Sequence, residues 1–515
     1  MNAWAGIGLH GGERAPIWRA CTRQLAAKPD GIFPEGFVSW FLGCGLVRLS
    51  RRRPLAIWGA TQGNAETTAA WCIVSNKLLI VQPSHYCSRT DRTVFKSRRR
   101  SLVPLALPYL AALTPPEWNV TLVDEQVQDI DFSCRPDLVA ITSWTVLSLR
   151  GYDVAREFRT RGIPVIMGGP HVWFHPEEAS EHCDAIGIGE AEPIWTQMLQ
   201  DAASGRLQKV YRAPQMASLA GLPVPQWDLL DLKKYGLIKT FALMSSRGCP
   251  MQCEFCSERL YLGGGFRSRP VEDVIEEIKR CGSKNIFFGD SNFGGERASA
   301  MKLMEAMIPL RLRWSALWTS FLCYDCEYLD LAKRSGLLHV NVGLESINPD
   351  TLKQMNKRFN KVDKYSLMLE NLRERGISYS LNFIFGWDNE TPEVFRATMD
   401  FLEREKVPVA YFNILCPEKG TAFYEKMKRE DRILRSDEIG RFPGEFCYMK
   451  PRNFTAEELE ENIQNMYLRF YSWKSMLHRL PMPVTKANIA SWVSNLSQRQ
   501  LAQRSRENHN SFDAF

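Results

Sequence analysis

Three cysteines in the middle of the sequence carry its clearest chemistry. The segment Ser245–Cys256 reads SSRGCPMQCEFC and gives Cys249, Cys253 and Cys256 the spacing C-x3-C-x2-C. Three thiolates on one tight loop can hold three irons of a [4Fe–4S] cluster and leave the fourth iron without a protein ligand. An open iron can bind and act on another molecule. The alternatives are a zinc loop or three unrelated thiols, but no further Cys or His follows within twenty residues to complete a zinc site.

The elements that must position this loop begin with a predicted amino-terminal sheet. Short apolar runs separated by helical segments are typical of buried parallel strands. Five of them in succession predict a doubly wound α/β sheet, whose ligand crevice lies beyond the carboxyl ends of the strands. The predicted strands are Lys77–Pro83, Val120–Asp124, Leu138–Ser143, Pro164–Met167 and Ala185–Ile188.

A second α/β array follows a proline-containing linker at residues 206–240. Six βα units predict a partial (β/α)6 barrel, which places its chemistry at the carboxyl ends of its strands. We expect domains at 76–205 and 241–450, an unassigned extension at 1–75 and a helical region at 451–515. The predicted barrel strands are Phe241–Ser245, Asn285–Phe288, Arg313–Thr319, His339–Gly343, Ser380–Phe385 and Ala410–Leu415.

The motif CPMQCEFC resembles the signature of the radical S-adenosylmethionine (SAM) superfamily, and the resemblance extends across about 240 residues. It implies that the open iron binds the amino and carboxylate groups of SAM. One electron then cleaves SAM to a 5′-deoxyadenosyl radical, which implies an electron donor such as flavodoxin or ferredoxin as a partner. The resemblance also places Phe255 near the adenine.

Weaker matches to the same family nominate further SAM-binding residues. Phe287–Gly295 (FFGDSNFGG) resembles the segment that holds the SAM amino group and nominates Gly289 and Asp290. The GLES segment resembles the one that reaches the ribose and nominates Glu345. The segment FIFGWDNET resembles a common GxPxET loop but departs from it at Trp387–Asn389.

The amino-terminal sheet resembles the cobalamin-binding domains that precede some radical SAM barrels. Ser143 and the pair Gly168-Gly169 end two successive predicted strands, where small residues let a nucleotide tail lie against the backbone. The segment IGIGEAEPIW, which contains Gly189 and Glu190, resembles another cobalamin loop. The D-x-H-x-x-G loop that supplies a cobalt ligand is absent, and QPSHYCSRTD, with His85, stands in its place.

The leading functional hypothesis is a cobalamin-dependent radical SAM methyltransferase acting on an unactivated carbon. In this reaction one SAM methylates cobalamin, another yields the radical that takes hydrogen from substrate, and the substrate radical takes the methyl group. A second hypothesis keeps both cofactors but ends in cyclisation, rearrangement or oxidation. A third is a cobalamin-binding carrier or sensor with an inert barrel. We expect a small, partly apolar substrate, for which 15 tryptophans and 27 phenylalanines offer material.

Charge and composition limit the partners and the compartment. The net charge of +7 is a small excess, and we expect no nucleic-acid partner, although Arg51–Arg53 and Arg98–Arg100 form basic runs. Irregularly spaced cysteines favour a reducing compartment, and no apolar run is long enough to span a bilayer. We therefore expect a soluble cytoplasmic protein. An auxiliary cluster would need four further cysteines, Cys323, Cys326, Cys416 and Cys447.

Overall fold

The computed structural model describes residues 76–87, 92–97, 100–442, 446–484 and 489–508. The unassigned extension at 1–75, with the basic run Arg51–Arg53, lies outside the described residues, as do Arg98 and Arg99 of the second run. Among the helices that are described, none combines the length and the apolar character needed to cross a bilayer.

Short strands of mostly apolar residues dominate the described chain, as the sequence pattern predicts. Fifteen strands are present in the described residues, and all but one of the strand pairings are parallel. In chain order they are β1 (Asn76–Gln82), β2 (Leu102–Val103), β3 (Trp118–Asp124), β4 (Leu138–Thr142), β5 (Val165–Gly168), β6 (Ala185–Ile188), β7 (Val210–Arg212), β8 (Thr240–Leu243), β9 (Ser246–Arg247), β10 (Arg267–Ser268), β11 (Asn285–Phe288), β12 (Arg313–Thr319), β13 (Leu337–Glu345), β14 (Ser378–Phe385) and β15 (Val409–Ile414).

Amphipathic helices connect these strands and cover the sheets. They are α1 (Ala106–Leu113), α2 (Ser148–Arg159), α3 (Pro170–Phe174), α4 (Pro176–His182), α5 (Trp195–Ala203), α6 (Glu258–Tyr261), α7 (Val271–Cys281), α8 (Arg297–Met307), α9 (Cys326–Arg334), α10 (Pro349–Gln354), α11 (Tyr365–Glu374), α12 (Glu393–Arg404), α13 (Ala422–Arg429), α14 (Ala456–Phe470), α15 (Trp473–Arg479) and α16 (Ile489–Asn508).

The first sheet has six parallel strands in the order β3-β1-β4-β5-β6-β7. Alternate residues of β1 enter different cores, because successive side chains of a strand point to opposite faces. Leu78 and Ile80 join a large core shared with the second sheet, whereas Leu79 and Val81 pack in a separate cluster beneath α2. The order reverses between β1 and β4, which is where a doubly wound sheet opens its crevice. The predicted doubly wound fold is confirmed.

The second sheet is the partial barrel and has seven strands in the order β15-β14-β13-β12-β11-β8-β2. Six of them match the six predicted barrel strands to within a few residues. The seventh, β2, comes from the amino-terminal half of the chain and pairs with β8 through Leu102 and Val103. Conversely, β7 lies in the predicted linker but joins the first sheet beside β6.

The helical carboxyl-terminal region covers the free edge of the barrel at β15. The α14 helix begins with a capping box between Thr455 and Glu458. Near its other end, the Tyr467 hydroxyl accepts a hydrogen bond from the Phe412 backbone at 3.0 Å, and the Tyr471 hydroxyl donates to the Ala410 carbonyl at 2.8 Å. These contacts occupy backbone groups that an edge strand otherwise leaves unpaired.

Candidate functional site

The cysteine loop begins directly after β8, at the carboxyl end of the barrel. Gly248 has φ +85°, and a Cβ atom there would lie 2.0 Å from the Gly265 carbonyl oxygen, so only glycine fits before the first cysteine. Cys249, Cys253 and Cys256 follow, and each is partly buried. Within the described ranges, no three His, Cys, Asp or Glu side chains converge closely enough to hold a metal ion.

The surroundings of the three thiols nevertheless fit a [4Fe–4S] cluster. Burial raises the pKa of all three, that of Cys256 to about 11, and the thiols lie near enough to influence one another electrostatically. Lys357 acts in the opposite direction on Cys249 and Cys253. Backbone N–H groups and a nearby cation stabilise thiolates, which are the form that binds iron. The loop residues would therefore hold the cluster.

Gly289 and Asp290, which the sequence predicts to bind SAM, form hydrogen bonds with the residues at the start of the cysteine loop. The fully buried Asp290 carboxylate accepts hydrogen bonds from the Ser245 backbone at 2.8 Å and from the Ser245 and Ser246 hydroxyls at 2.5 Å. Gly289 donates its N–H to the Leu243 carbonyl at 2.8 Å. Both residues thus hold β8 and β11 together beneath the cysteine loop, and their contact with SAM stays a prediction.

Glu345, the predicted ribose-binding residue, forms a buried ion pair that the sequence did not suggest. It ends β13 at φ +66°, and its carboxylate lies 2.6 Å from Lys357 Nζ, with both side chains less than a tenth exposed. Burial alone would lower the pKa of Lys357, but Glu345 and Cys253 outweigh it, so the pKa is raised. A charged ammonium group therefore lies between Glu345 and the cysteine loop.

Asn292 is a second residue that sequence reasoning missed. It follows Asp290 by two positions, is 2 % exposed, and neither its amide nitrogen nor its amide oxygen has a hydrogen-bond partner in the described protein. The side chain lies beside the Cys249 thiol. A buried donor and acceptor without partners at this place can bind a ligand that carries both kinds of group. Phe255 of the cysteine loop lies edge-on to Trp387 with ring centroids 6.0 Å apart, and its predicted contact with the adenine stays a prediction.

We expect Lys357→Met to destabilise the protein and to lower SAM cleavage. The substitution leaves the buried Glu345 carboxylate unpaired, which costs about 3–5 kcal/mol of unfolding free energy. The double variant Lys357→Met/Glu345→Leu should recover most of this stability without recovering SAM cleavage. Urea unfolding and 5′-deoxyadenosine formation measure the two effects. Exposed Lys353 on α10 supplies the control Lys353→Met, and full SAM cleavage by the double variant would contradict a role for Lys357.

The predicted cobalamin residues lie together at the carboxyl edge of the first sheet. The Ser143 backbone accepts from His171 N–H and donates to the Gly168 carbonyl, both at 3.0 Å. A Cβ atom on Gly169, which has φ +99°, would lie 2.8 Å from the Ser143 carbonyl oxygen. A Cβ atom on Gly168 would meet nothing closer than the Gly187 carbonyl at 3.7 Å. Gly169 is therefore required by the protein itself, whereas Gly168 leaves open space.

Glu190, another predicted cobalamin residue, connects this edge to the cysteine loop. Its carboxylate lies 3.0 Å from Arg247 and 2.7 Å from Arg267. Burial opposes its ionisation, but the hydrogen bond from Arg267 and the charge of Arg247 outweigh burial and lower its pKa. Arg247, which also pairs with Glu192 at 2.6 Å, precedes Cys249 by two residues. The preceding Gly189 has φ +102°, where only glycine is unstrained.

Two buried histidines lie behind the same edge, His171 on α3 and His175 between α3 and α4. The His171 ring stacks on His175 with centroids 4.8 Å apart, and its Nε2 lies 2.6 Å from the Tyr152 hydroxyl. Lys419, from the loop after β15, lies 3.1 Å from His175 Nδ1. Burial lowers the pKa of His171 to about 2 and that of His175 to about 4, and Lys419 adds to the effect on His175.

This cluster predicts a loss of stability in mild acid. Both histidines have folded-state pKa values below the ordinary value, so the unfolded chain binds more protons between about pH 6.5 and pH 4. As the pH is lowered through this range, the free energy of unfolding should therefore decrease by about 1.4 kcal/mol per pH unit for each histidine. Denaturant unfolding at pH 7.5 and 5.0 measures the slope. His175→Gln should reduce it and the exposed-site control His478→Gln should not; equal slopes would contradict the assignment.

Other chemically suggestive residues are not brought into a shared site. His85 lies in the loop after β1 and stacks on Phe95 with ring centroids 4.7 Å apart. Cys323 and Cys326, which are three residues apart in the sequence, differ in burial: Cys323 is fully buried and Cys326 is exposed. The alternative of an auxiliary cluster, which Cys323, Cys326, Cys416 and Cys447 would have to form, is not supported, because no three such side chains converge in the described part of the chain.

Aromatic side chains line the space between the two sheets at this edge. Trp144, which follows Ser143, lies edge-on to Tyr261 with centroids 6.1 Å apart, and Phe174 of α3 lies 5.8 Å from the same ring. Tyr261 belongs to α6, directly after the cysteine loop. Trp144 is 50 % exposed despite its size. We call these three residues the aromatic bridge, and it offers an apolar wall between the cysteine loop and the Ser143 edge.

Comparisons with known proteins agree with this geometry. Residues 243–402 match the family model of the radical SAM superfamily. The bacteriochlorophyllide d C-12(1)-methyltransferase of Chlorobaculum tepidum is 30% identical over 82% of this chain and 94% of its own length. The hopanoid C-2 methylase of Rhodopseudomonas palustris is 28% identical over 65% of this chain and 66% of its own length.

A solved structure shows the same fold at lower identity. The radical SAM methyltransferase TsrM from Kitasatospora setae, with cobalamin and a [4Fe–4S] cluster bound, superposes with a TM-score of 0.62 at 18% identity. The alignment covers 84% of this chain and 99% of that one, and therefore includes both sheets. The prediction made from CPMQCEFC is confirmed: this chain is a radical SAM enzyme of the branch in which a doubly wound sheet of the cobalamin-binding type precedes the barrel.

Proposed function

We propose that this enzyme transfers a methyl group to an unactivated carbon of a sizeable, at least partly apolar small molecule. One observation carries the proposal most: Arg247, two residues before Cys249, is paired at 3.0 Å with Glu190 at the carboxyl edge of the first sheet. This ion pair supports a site in which a cofactor on that edge and a cluster on the loop face one substrate. Proximity of this kind is the protein's main contribution to such a reaction.

The cofactors we assign are a [4Fe–4S] cluster, SAM and cobalamin. When bound, the cluster and SAM supply the hydrogen-abstracting radical chemistry, and cobalamin supplies the methyl group. Asp290 holds the start of the cysteine loop in place, and Lys357 and Asn292 present a buried cation and an unpartnered amide to the SAM side. An electron donor such as flavodoxin or ferredoxin and a cytoplasmic location complete the proposal, since the irregular cysteines suit a reducing compartment.

The substrate class is inferred from relatives and from the aromatic bridge. Bacteriochlorophyllide and hopanoid, named in two relatives, are both large ring systems with extensive apolar surface. Trp144, Phe174 and Tyr261 offer matching apolar surface beside the cysteine loop. The domain assignment, with cobalamin on residues 76–205 and the radical reaction on 241–450, belongs to the same proposal.

Isotope labelling tests the reaction. Cells that carry the gene, cells that lack it and cells that carry Cys253→Ala should be fed methionine with a labelled methyl group. We expect one metabolite that gains a single labelled methyl only in the first culture, because only an intact cysteine loop supports SAM cleavage. A changed skeleton without label would instead support cyclisation or rearrangement. An unchanged metabolite profile together with undetectable SAM cleavage would support the carrier hypothesis.

A further inference from the structure

The last two helices leave an unusual amount of apolar surface exposed. Trp473 and Leu477 of α15 are 52 % and 56 % exposed, and Val493 and Leu496 of α16 are 60 % and 43 % exposed. Isolated exposed apolar residues need no explanation, but several within one short segment do. We call the set the carboxyl-terminal apolar face: Trp473, Leu477, Met482, Val484, Ile489, Val493 and Leu496.

These exposed residues do not result from poor packing, because each helix also has a well-packed side. Met476, Leu480 and Trp492 form a small buried cluster on the inward side. The exposed residues are spaced by three or four positions, so they form a stripe along each helix. The Arg499 guanidinium lies 5.4 Å from the Trp473 ring and links the two helices. The two stripes therefore belong to one surface of a helix pair.

The segment that carries this face has charged residues of one sign only. No Asp or Glu occurs between Glu461 and Glu507, although the whole chain has 58 acidic residues against 65 basic ones. The basic residues within that interval are Arg469, Lys474, Arg479, Lys486, Arg499, Arg504 and Arg506. Arg479 is buried and Arg469 pairs with Asp400 and Glu403 of α12, whereas Lys474 is exposed beside Trp473. An apolar surface on a segment that carries basic but no acidic residues complements a surface that is apolar beneath an anionic layer.

We propose that the carboxyl-terminal apolar face binds the surface of an anionic lipid bilayer. The exposed apolar side chains would enter the boundary between head groups and acyl chains, and exposed basic residues such as Lys474 would pair with anionic head groups. The inference rests on exposure and charge, and it does not depend on the proposed reaction.

Vesicle flotation with the full chain tests the proposal. We expect binding to vesicles that contain phosphatidylglycerol and much weaker binding to pure phosphatidylcholine. The variant Leu477→Ser/Val493→Ser should bind at least about tenfold more weakly, because two exposed apolar side chains no longer enter the bilayer. Lys474→Gln should weaken binding to the anionic vesicles about fivefold, in line with one lost charge near the membrane surface.

A matched control separates this face from apolar surface in general. Leu338 and Leu367, on β13 and α11, are 49 % and 50 % exposed, and Leu338→Ser/Leu367→Ser should bind vesicles like wild type. Circular dichroism and SAM cleavage in solution should be unchanged in both double variants. Wild-type protein that stays unbound to anionic vesicles would overturn the proposal. So would a loss of dimerisation by Leu477→Ser/Val493→Ser in light scattering with vesicle binding unchanged, since the face would then join two copies.

Discussion

Replacing Cys249, Cys253 and Cys256 together by alanine should remove iron and sulfide from the anaerobically reconstituted protein and abolish 5′-deoxyadenosine formation. Thiolates are the ligands of such clusters, and the loop places three of them between β8 and α6, beside the buried Lys357. No other loop in the described chain offers this spacing after a barrel strand. The measurements are iron and sulfide content and SAM cleavage with a chemical reductant.

A second triple variant controls for the loss of thiols as such. Cys134, Cys281 and Cys326 are free and not fully buried, and they lie outside the cysteine loop. Their replacement by alanine should leave the iron content and SAM cleavage at wild-type values. Unchanged iron and sulfide in the Cys249, Cys253 and Cys256 variant would refute the cluster assignment.

Gly168→Ile should abolish the retention of methylcobalamin while the protein stays folded. The position leaves open space in the protein alone, with no atom closer than 3.7 Å to an added Cβ. A nucleotide tail lying against this backbone would collide with the isoleucine side chain. Gel filtration of anaerobic protein loaded with methylcobalamin measures retention, and we expect a loss of at least about tenfold. Binding of cobinamide, which lacks the nucleotide tail, should change little.

Gly169→Ala provides the contrasting variant at the neighbouring position. It forces a methyl group to within 2.8 Å of the Ser143 carbonyl oxygen at a positive φ, so it should cost about 1–3 kcal/mol of unfolding free energy even without cobalamin. Thermal unfolding of the two variants should therefore separate a cofactor effect from a folding effect. Full methylcobalamin retention by folded Gly168→Ile protein would remove the support for this crevice.

The strands that the sequence predicted best are those whose burial is set by their own residues. β11, β12 and β14 carry apolar side chains at most of their buried positions and precede a polar residue or glycine, and the predicted limits agree with the observed ones within two residues. β2 and β7 were not predicted, because they have only two and three residues and owe their conformation to pairing with β8 and β6. Such pairing is a tertiary effect that local pattern does not encode.

The residues of the candidate site also fall into those that the sequence predicted and those that only the fold reveals. Cys249, Cys253 and Cys256 were predictable because their spacing within one loop carries the chemistry. Lys357 was not, because a single lysine twelve positions after Glu345 has no sequence signal, and only the fold brings it to the cysteine loop. Asn292 lies inside Phe287–Gly295, which the sequence analysis associated with SAM, but the sequence did not single it out. Its candidacy comes from the structure, in which its buried amide nitrogen and oxygen have no hydrogen-bond partner.

The short strand β2 limits how this enzyme can be recombined with its relatives. The chain leaves the first sheet after β1, contributes Leu102 and Val103 to the barrel, and returns to the first sheet at β3. In a chimera of two relatives joined near residue 206, the barrel would come from one parent but its edge strand β2 would come from the other. Exchanging the radical-generating half alone would therefore require carrying residues 100–105 with it.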